Sequence, residues 1–178
     1  GESIGTFYTY QYAGTINGRS EYYVLDDNGN RTGETTNNPG LKDRSITGCA
    51  QPKLNAGWNN NLRYKNWNLN AFITGVFGND VYNGPRAHYT SAQMFSDGKN
   101  VLKDFLDFPA GDASGSLPSD RWIEKGTYVR LQSLSLSYTF RNCFNDWIQD
   151  LTLYGTANNL LTISSYKGLD PEVNLGGI

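Results

Sequence analysis

The sequence predicts an all-β chain of antiparallel strands, and three observations predict it. Two adjacent segments of about ten residues alternate apolar and polar side chains with a period of two. Only two residues separate them, so they read as one long hairpin. The composition of the 178 residues joins 20 Gly and 20 Asn to 13% aromatic side chains, which supplies both turns and strands. No apolar run approaches the roughly 18 residues of a membrane-spanning helix. That excludes the helix and not the membrane, because a spanning strand needs only about 9–11 residues with every second one apolar.

The elements follow in order. Residues 4–13 (IGTFYTYQYA) are rich in Tyr, Phe and Thr and end at Gly14, and residues 21–25 (EYYVL) form a second short apolar run. Both read as strands. Asp26-Asp27-Asn28-Gly29-Asn30 then signals a turn, and residues 30–50, with Gly33, Asn37, Asn38, Pro39 and Gly40, read as a loop. Residues 54–64 place Leu54, Ala56, Trp58, Leu62 and Tyr64 on one parity, with Asn60 as the polar intruder, and Asn55, Gly57, Asn59, Asn61 and Arg63 on the other. After Lys65-Asn66, residues 67–77 repeat the pattern. Residues 87–108 carry Val101, Leu102, Phe105, Leu106 and Phe108 near helical spacing, which predicts one or two short helices broken at Gly98. Residues 109–119 read as coil. A third alternating segment runs over 127–140, with Leu134, Leu136, Tyr138 and Phe140 against Ser133, Ser135, Ser137 and Thr139, and a shorter fourth over 151–158.

Charge narrows the function. With 15 Lys and Arg against 17 Asp and Glu, the chain lacks the basic footprint of a nucleic-acid binder. Cys49 and Cys143 stand far apart without a CxxC partner, which speaks against a metal site and leaves their disulfide status open. The first five residues lack the basic start and apolar core of a secretory signal, so the chain is expected to be mature or part of something longer.

Parity alone fits both a soluble sandwich, with one face in a core, and a membrane barrel, with the apolar face in lipid. Two details favour the barrel. The polar parity holds small uncharged Asn, Ser, Thr and Gly where a water-facing sheet usually carries Lys and Glu. Aromatics also stand at segment ends, as in interfacial girdles: Trp58 and Tyr64, Trp67 and Phe77, Tyr138 and Phe140.

Residues 51–83 resemble a stretch near the C-terminus of the SusC/RagA family of TonB-linked (TonB-dependent) outer-membrane transporters of Bacteroidetes. Arg121-Trp122-Ile123-Glu124-Lys125-Gly126-Thr127-Tyr128-Val129-Arg130-Leu131 is similar to a signature of that family, with Thr127 where the family carries Ser. Asn158-Asn159-Leu160-Leu161-Thr162-Ile163 and Tyr166-Lys167-Gly168-Leu169-Asp170-Pro171-Glu172-Val173 are similar to two further family segments. The resemblance covers most of the chain, and is weakest over 30–50 and 84–116. It implies that residues 1–178 are the C-terminal part of a transmembrane β-barrel in the cell outer membrane, about six strands with a short helical insertion and no plug domain. The function it implies is import of glycans, oligosaccharides or peptides, working with a SusD-like lipoprotein and TonB. A partial barrel leaves two sheet edges and a lipid-facing surface uncovered, so the isolated piece is expected to self-associate.

Other constellations carry less. Asp26 to Asn30 lacks the later Glu of a calcium loop and reads as a hairpin turn, although calcium binding stays open. His88 is the only histidine and has no catalytic companion. Asp120 and Glu124 read as residues that orient Arg121 or Arg130, and Asp170-Pro171-Glu172 as a turn closed by an Asx-type bond. Ser133, Ser135 and Ser137 read as small lumen-facing residues. We therefore expect no catalytic residues, no metal and no cofactor, and assign no ligand-binding residue. Tyr82, Asn83, His88, Tyr89 and Phe95 are the aromatic and amide groups through which 79–119 could meet a sugar or a partner. The alternative is a freestanding secreted β-sandwich that binds carbohydrate. A glycoside hydrolase would need two carboxylates flanking a cleft, and no pair stands out.

Overall fold

The structure, a computed structural model, describes residues 1–107, 117–144 and 148–172. Its strands are β1 (Thr6–Tyr10), β2 (Tyr12–Ile16), β3 (Arg19–Leu25), β4 (Arg31–Thr36), β5 (Arg44–Cys49), β6 (Leu54–Tyr64), β7 (Trp67–Phe77), β8 (Asp80–Tyr82), β9 (Ile123–Lys125), β10 (Tyr128–Phe144) and β11 (Ile148–Ser164). Two short helices, α1 (Gly84–Tyr89) and α2 (Ala92–Ser96), lie in the segment between β8 and β9, followed by a 3-10 turn at Lys103–Asp107. The chain divides into two compact units: Lys53–Gly78 with Thr127–Ser165, and Gly1–Pro52 with Asn79–Gly126 and Tyr166–Ile178.

The first of these is one antiparallel sheet in the order β11-β10-β7-β6. β6 and β7 occupy the residues their alternation predicts, paired without interruption from Leu54↔Phe77 to Tyr64↔Trp67. Lys65 takes a left-handed φ of 53° in the two-residue turn, and the Asn66 carbonyl accepts the Thr139 N–H at 2.9 Å. β10 pairs with β7 from Tyr128↔Val76 to Tyr138↔Trp67. β10 and β11 are each 17 residues long, so both outrun the segments expected at 127–140 and 151–158.

β10 runs past 140 because Arg141 and Phe144 still pair with β11, and β11 runs past 158 because a bulge hides its continuation. Gln132 has no opposite number on β7, where Leu131 pairs with Ile73 and Ser133 with Phe72. Across β11 the register jumps from Leu131↔Leu161 to Ser133↔Asn158, with Asn159 at a φ of 53°. An extra residue reverses strand parity. It therefore lets Val129 and Leu131 share a face with Leu134, Leu136 and Tyr138, and it interrupts the alternation that a sequence pattern follows.

The other unit is built of smaller sheets: β1 with β5, the meander β2-β3-β4, and β8 with β9, all antiparallel. The β2–β3 hairpin turns on Asn17 and Gly18, both left-handed at φ 51° and 76°, as a two-residue hairpin loop requires. The expected strand over 4–13 is thus two strands, and the expected loop over 30–50 contains β4 and β5. β5 finds its partner β1 almost 40 residues away, which no local pattern records, whereas β4 pairs locally with β3 across the Asp26–Asn30 turn.

This unit's core is aromatic. Tyr22 is buried against the rings of Tyr10 and Tyr12, with centroids 5.8 and 5.9 Å away. The Arg44 guanidinium covers Tyr10 at 4.9 Å, Arg121 covers Tyr12 at 4.3 Å, and the Trp122 side chain is 1% exposed. Cation–π contacts of this buried kind each contribute on the order of 1–2 kcal/mol. The helical insertion closes on Met94 and Phe105, with Phe95 stacked on Phe105 at 5.0 Å. Gly98 breaks it, at φ 68°. Phe108 and the coil over 109–116 lie outside the described residues.

Candidate functional site

The long sheet has two chemically distinct faces, and its register defines both. One face carries Leu54, Trp58, Leu62 and Tyr64 of β6, opposite Phe77, Ile73, Leu69 and Trp67 of β7. It continues through Val129, Leu131, Leu134, Leu136, Tyr138 and Phe140 to Ile163, Leu161, Leu153 and Leu151. These side chains are open: Trp58 and Leu153 are each 58% exposed and Ile163 64%. A soluble sandwich would bury this face under a second sheet, but this unit contains only one. The length also matches a membrane: the ten steps from Trp67 to Phe77 span about 34 Å along the strand, and a tilt of about 45° leaves about 24 Å of height, close to the apolar band of a barrel. Near the two-residue turn Trp67, Tyr138 and Phe140 pack edge to face, at 4.7 and 4.6 Å between centroids. Trp58, opposite Ile73, stands six residues from that group.

The opposite face is mainly Asn, Ser and Thr, and it also carries Phe72, Val76, Tyr128 and Tyr154 and the charged Arg63, Arg130, Arg141 and Asp150. Asn61, Asn70 and Ser135 form one row across three strands, and Arg63, Asn68 and Ser137 the next. Hydroxyls satisfy one another between β10 and β11: Thr156 Oγ1 donates to Ser135 Oγ at 3.0 Å, and Thr139 and Thr152 are 2.9 Å apart. The three serines therefore sit on the face expected of them. Arg130, 4% exposed, donates from Nε to Thr162 Oγ1 at 3.0 Å and lies 5.1 Å from the Tyr128 ring. It occupies this face because the Gln132 bulge reverses the parity after it.

In the other unit the carboxylates act as clamps. Glu124 accepts Arg86 Nη1 at 3.0 Å and Asn83 Nδ2 at 3.2 Å through Oε1, and the Lys167 N–H at 2.8 Å through Oε2. Asn83 is buried and caps α1 by accepting the Arg86 N–H. Asp120 accepts the Tyr12 N–H at 2.8 Å. Asp80 joins Lys125 Nζ to the Cys49 N–H. Asp43, also buried, takes the Leu25 and Gly40 N–H groups. Each ties together residues distant in sequence, and orienting Arg121 or Arg130 is not what the observed contacts of Asp120 and Glu124 accomplish.

The sequence signature around Glu124 becomes intelligible in these terms. Trp122 fills the core, Glu124 clamps, and a side chain at Gly126 would strike Asn79 and Val81. Thr127 Oγ1 accepts the Gly78 N–H at 3.1 Å, so the hydroxyl, available from Ser or Thr, is what matters. A side chain at Gly168 would strike the Tyr166 ring, and Asp170 Oδ1 accepts the Glu172 N–H at 2.9 Å in the expected Asx turn. Val173 and the residues after it lie outside the described residues.

Burial raises the phenol of Tyr166 above its ordinary pKa, helped by the negative charge of Glu124, and burial alone raises that of Tyr82. Asp26 is held below the usual carboxylate range by the Asn30 N–H, with further help from its side chain and from the Asn28 and Gly29 N–H groups. That closed arrangement is the hairpin turn expected there. Of the residues proposed to face a ligand, Asn83 is internal, whereas His88, edge-on to Tyr89 at 5.2 Å between centroids, and Phe95 are exposed. Among the described residues no group of three or more His, Cys, Asp or Glu side chains could hold a metal ion. Cys49 is a free thiol, and the side chain of Cys143 lies outside the described set. No described helix is long and apolar enough to cross a membrane, which says nothing of strands.

A sheet of long strands, apolar on one side and mainly polar on the other, has the two faces of a membrane-barrel wall. Solved structures show the same fold: the RagAB peptide transporter superposes with a TM-score of 0.71 over 93% of this chain and 20% of its own, at 24% identity, and its closed-closed state gives the same values. No protein-family model matches the chain. Relatives do. TonB-dependent receptor P3 of Formosa agariphila is 31% identical over 98% of the chain, and TonB-dependent receptor SusC of Bacteroides thetaiotaomicron is 27% identical over 99%. The chain is thus homologous to TonB-dependent receptors, SusC among them. It spans about a fifth of the length of these curated relatives.

Proposed function

We propose that this chain is the C-terminal part of the barrel of an outer-membrane TonB-dependent importer, and that the whole protein takes up a glycan, oligosaccharide or peptide. The observation that carries this reading is the two-faced sheet, whose open apolar face suits lipid and whose Asn, Ser and Thr face suits a watery lumen. In this reading the whole protein works with a SusD-like lipoprotein and with TonB. Residues 79–119 belong to its extracellular loops and contribute to the lipoprotein interface, through exposed groups such as His88, Tyr89 and Phe95. Connectivity supports that side: β7 leaves the sheet at Phe77 and β10 re-enters at Tyr128, the end away from the two-residue turn, and barrels carry short turns on the periplasmic side.

The test uses the full-length receptor in lipid vesicles, with single spin labels at Leu153 and at Ser135. Leu153 is expected to be reached by oxygen dissolved in the bilayer and Ser135 by an aqueous nickel reagent. Equal access of the nickel reagent to both sinks the reading. Cells lacking the gene are further expected to lose growth on one member of a panel of oligosaccharides and peptides, and to regain it with the gene.

A further inference from the structure

Connections between strands are ordinarily the loosest parts of a fold, opening separately and at little cost. Here three of them are tied together. Residues 1–52 precede β6, residues 79–126 run from β7 to β10, and residues 166–172 follow β11, and all three stretches belong to one compact unit. The middle stretch reaches both others by the same means. Asp120 Oδ1 accepts the Tyr12 N–H at 2.8 Å, Asp80 Oδ2 the Cys49 N–H at 3.1 Å, and Glu124 Oε2 the Lys167 N–H at 2.8 Å. In each case the acceptor is a carboxylate of the middle stretch and the donor a main-chain amide of another. The side chains of Asp80 and Glu124 are only 14% and 11% exposed. Hydrogen bonds to an ionised group are the strong ones, and shelter from water strengthens them.

The clamps are also braced against one another. Asp80 and Glu124 stand on the paired strands β8 and β9, where Asp80 lies opposite Lys125 and Val81 opposite Glu124. Asp120 opens a 3-10 turn, Asp120–Trp122, that runs directly into β9. Asn83, the residue after β8, donates its main-chain N–H to the Trp122 carbonyl at 2.7 Å and its side-chain amide to Glu124. Tyr10 reinforces the Tyr12 clamp by donating its N–H to the Pro118 carbonyl at 3.2 Å. We propose that these carboxylates make residues 79–126 the keystone of one cooperative block, in which 1–52, 79–126 and 166–172 open and close together. A displacement of α1, which presents the exposed His88 and Tyr89, is then carried through Arg86 and Glu124 to Lys167. The inference goes beyond the barrel reading and stands on contacts within this unit alone.

The test is native-state hydrogen exchange on the full-length protein in detergent micelles, read at the Tyr12, Cys49 and Lys167 amides over a series of sub-denaturing guanidinium concentrations. The three amides are expected to converge on one opening reaction with a shared denaturant dependence. Asp120→Ala, which acts at the Tyr12 clamp, is expected to speed exchange about ten-fold at all three amides, while amides of the β6–β7 hairpin keep their rates. Three separate denaturant dependences in the unaltered protein, or acceleration at Tyr12 alone in Asp120→Ala, would overturn the block and leave the barrel reading intact. The first of these outcomes is read without any substitution, so a variant that fails to fold does not shield the proposal.

Discussion

Glu124 organises residues 38 and 43 positions away with a single carboxylate. Its ion pair with Arg86 is mostly screened from solvent, at 11% and 21% side-chain exposure, so removing the charge replaces an ion pair in a poorly solvated place by a weaker, neutral contact. Glu124→Gln is therefore expected to cost about 2–3 kcal/mol of local stability. Hydrogen exchange at the Lys167 amide reads this directly, and an unchanged rate would contradict it. Tyr166 gives a pH test. Its folded-state pKa is raised, so above the ordinary phenol value near 10 the unfolded chain loses this proton first, and stability falls as pH rises through that window. Tyr166→Phe is expected to flatten the fall in local exchange protection there. None of these contacts was legible in the sequence. A carboxylate reveals its charge but not its partner, and Asp120 and Glu124 were read with their neighbours in sequence because the groups they serve come from distant segments.

At the scale of elements, legibility followed locality. β6 and β7 were readable to the residue, since both alternate cleanly and share a two-residue turn. The Asn17-Gly18 hairpin carried an equally clear dipeptide, and heeding it would have separated β2 from β1. β11 was cut short in the sequence reading at Asn158, where the bulge inserts a left-handed Asn159 and the pattern stops. The bulge has consequences of its own. Deleting Gln132 from the full-length receptor would make β10 continuous and turn Arg130 onto the apolar face, or else turn Leu134, Leu136 and Tyr138 inward. An Arg on the lipid face costs roughly 2–4 kcal/mol near the bilayer midplane. The deletion is expected to abolish folded receptor in outer-membrane fractions, measured by heat-modifiable migration on gels, whereas Gln132→Ala, which keeps the residue count, is expected to preserve it.

For the molecule as a whole, among the described residues the sheet ends at β6 and β11, neither with a further strand partner, and has one open apolar face. Exposed edges and grease recruit further copies. The isolated 178-residue polypeptide is expected to self-associate in water and to disperse in detergent, and a monodisperse monomer by light scattering without detergent would refute this. The barrel character was legible in the uncharged polar parity and the terminal aromatics.

The central pair of the sheet, β7 with β10, is joined by 50 intervening residues, while β6 and β7 meet across two. Bringing distant partners together is entropically dearer than turning a hairpin, yet each doubling of the intervening length adds only about 0.6 kcal/mol. Assembly is then a matter of zipping finished ribbons together rather than adding strands one by one. The long connection can grow, shrink or be exchanged between descendants at small thermodynamic cost, so the same staves can be inherited unchanged while what they display to the outside world diversifies.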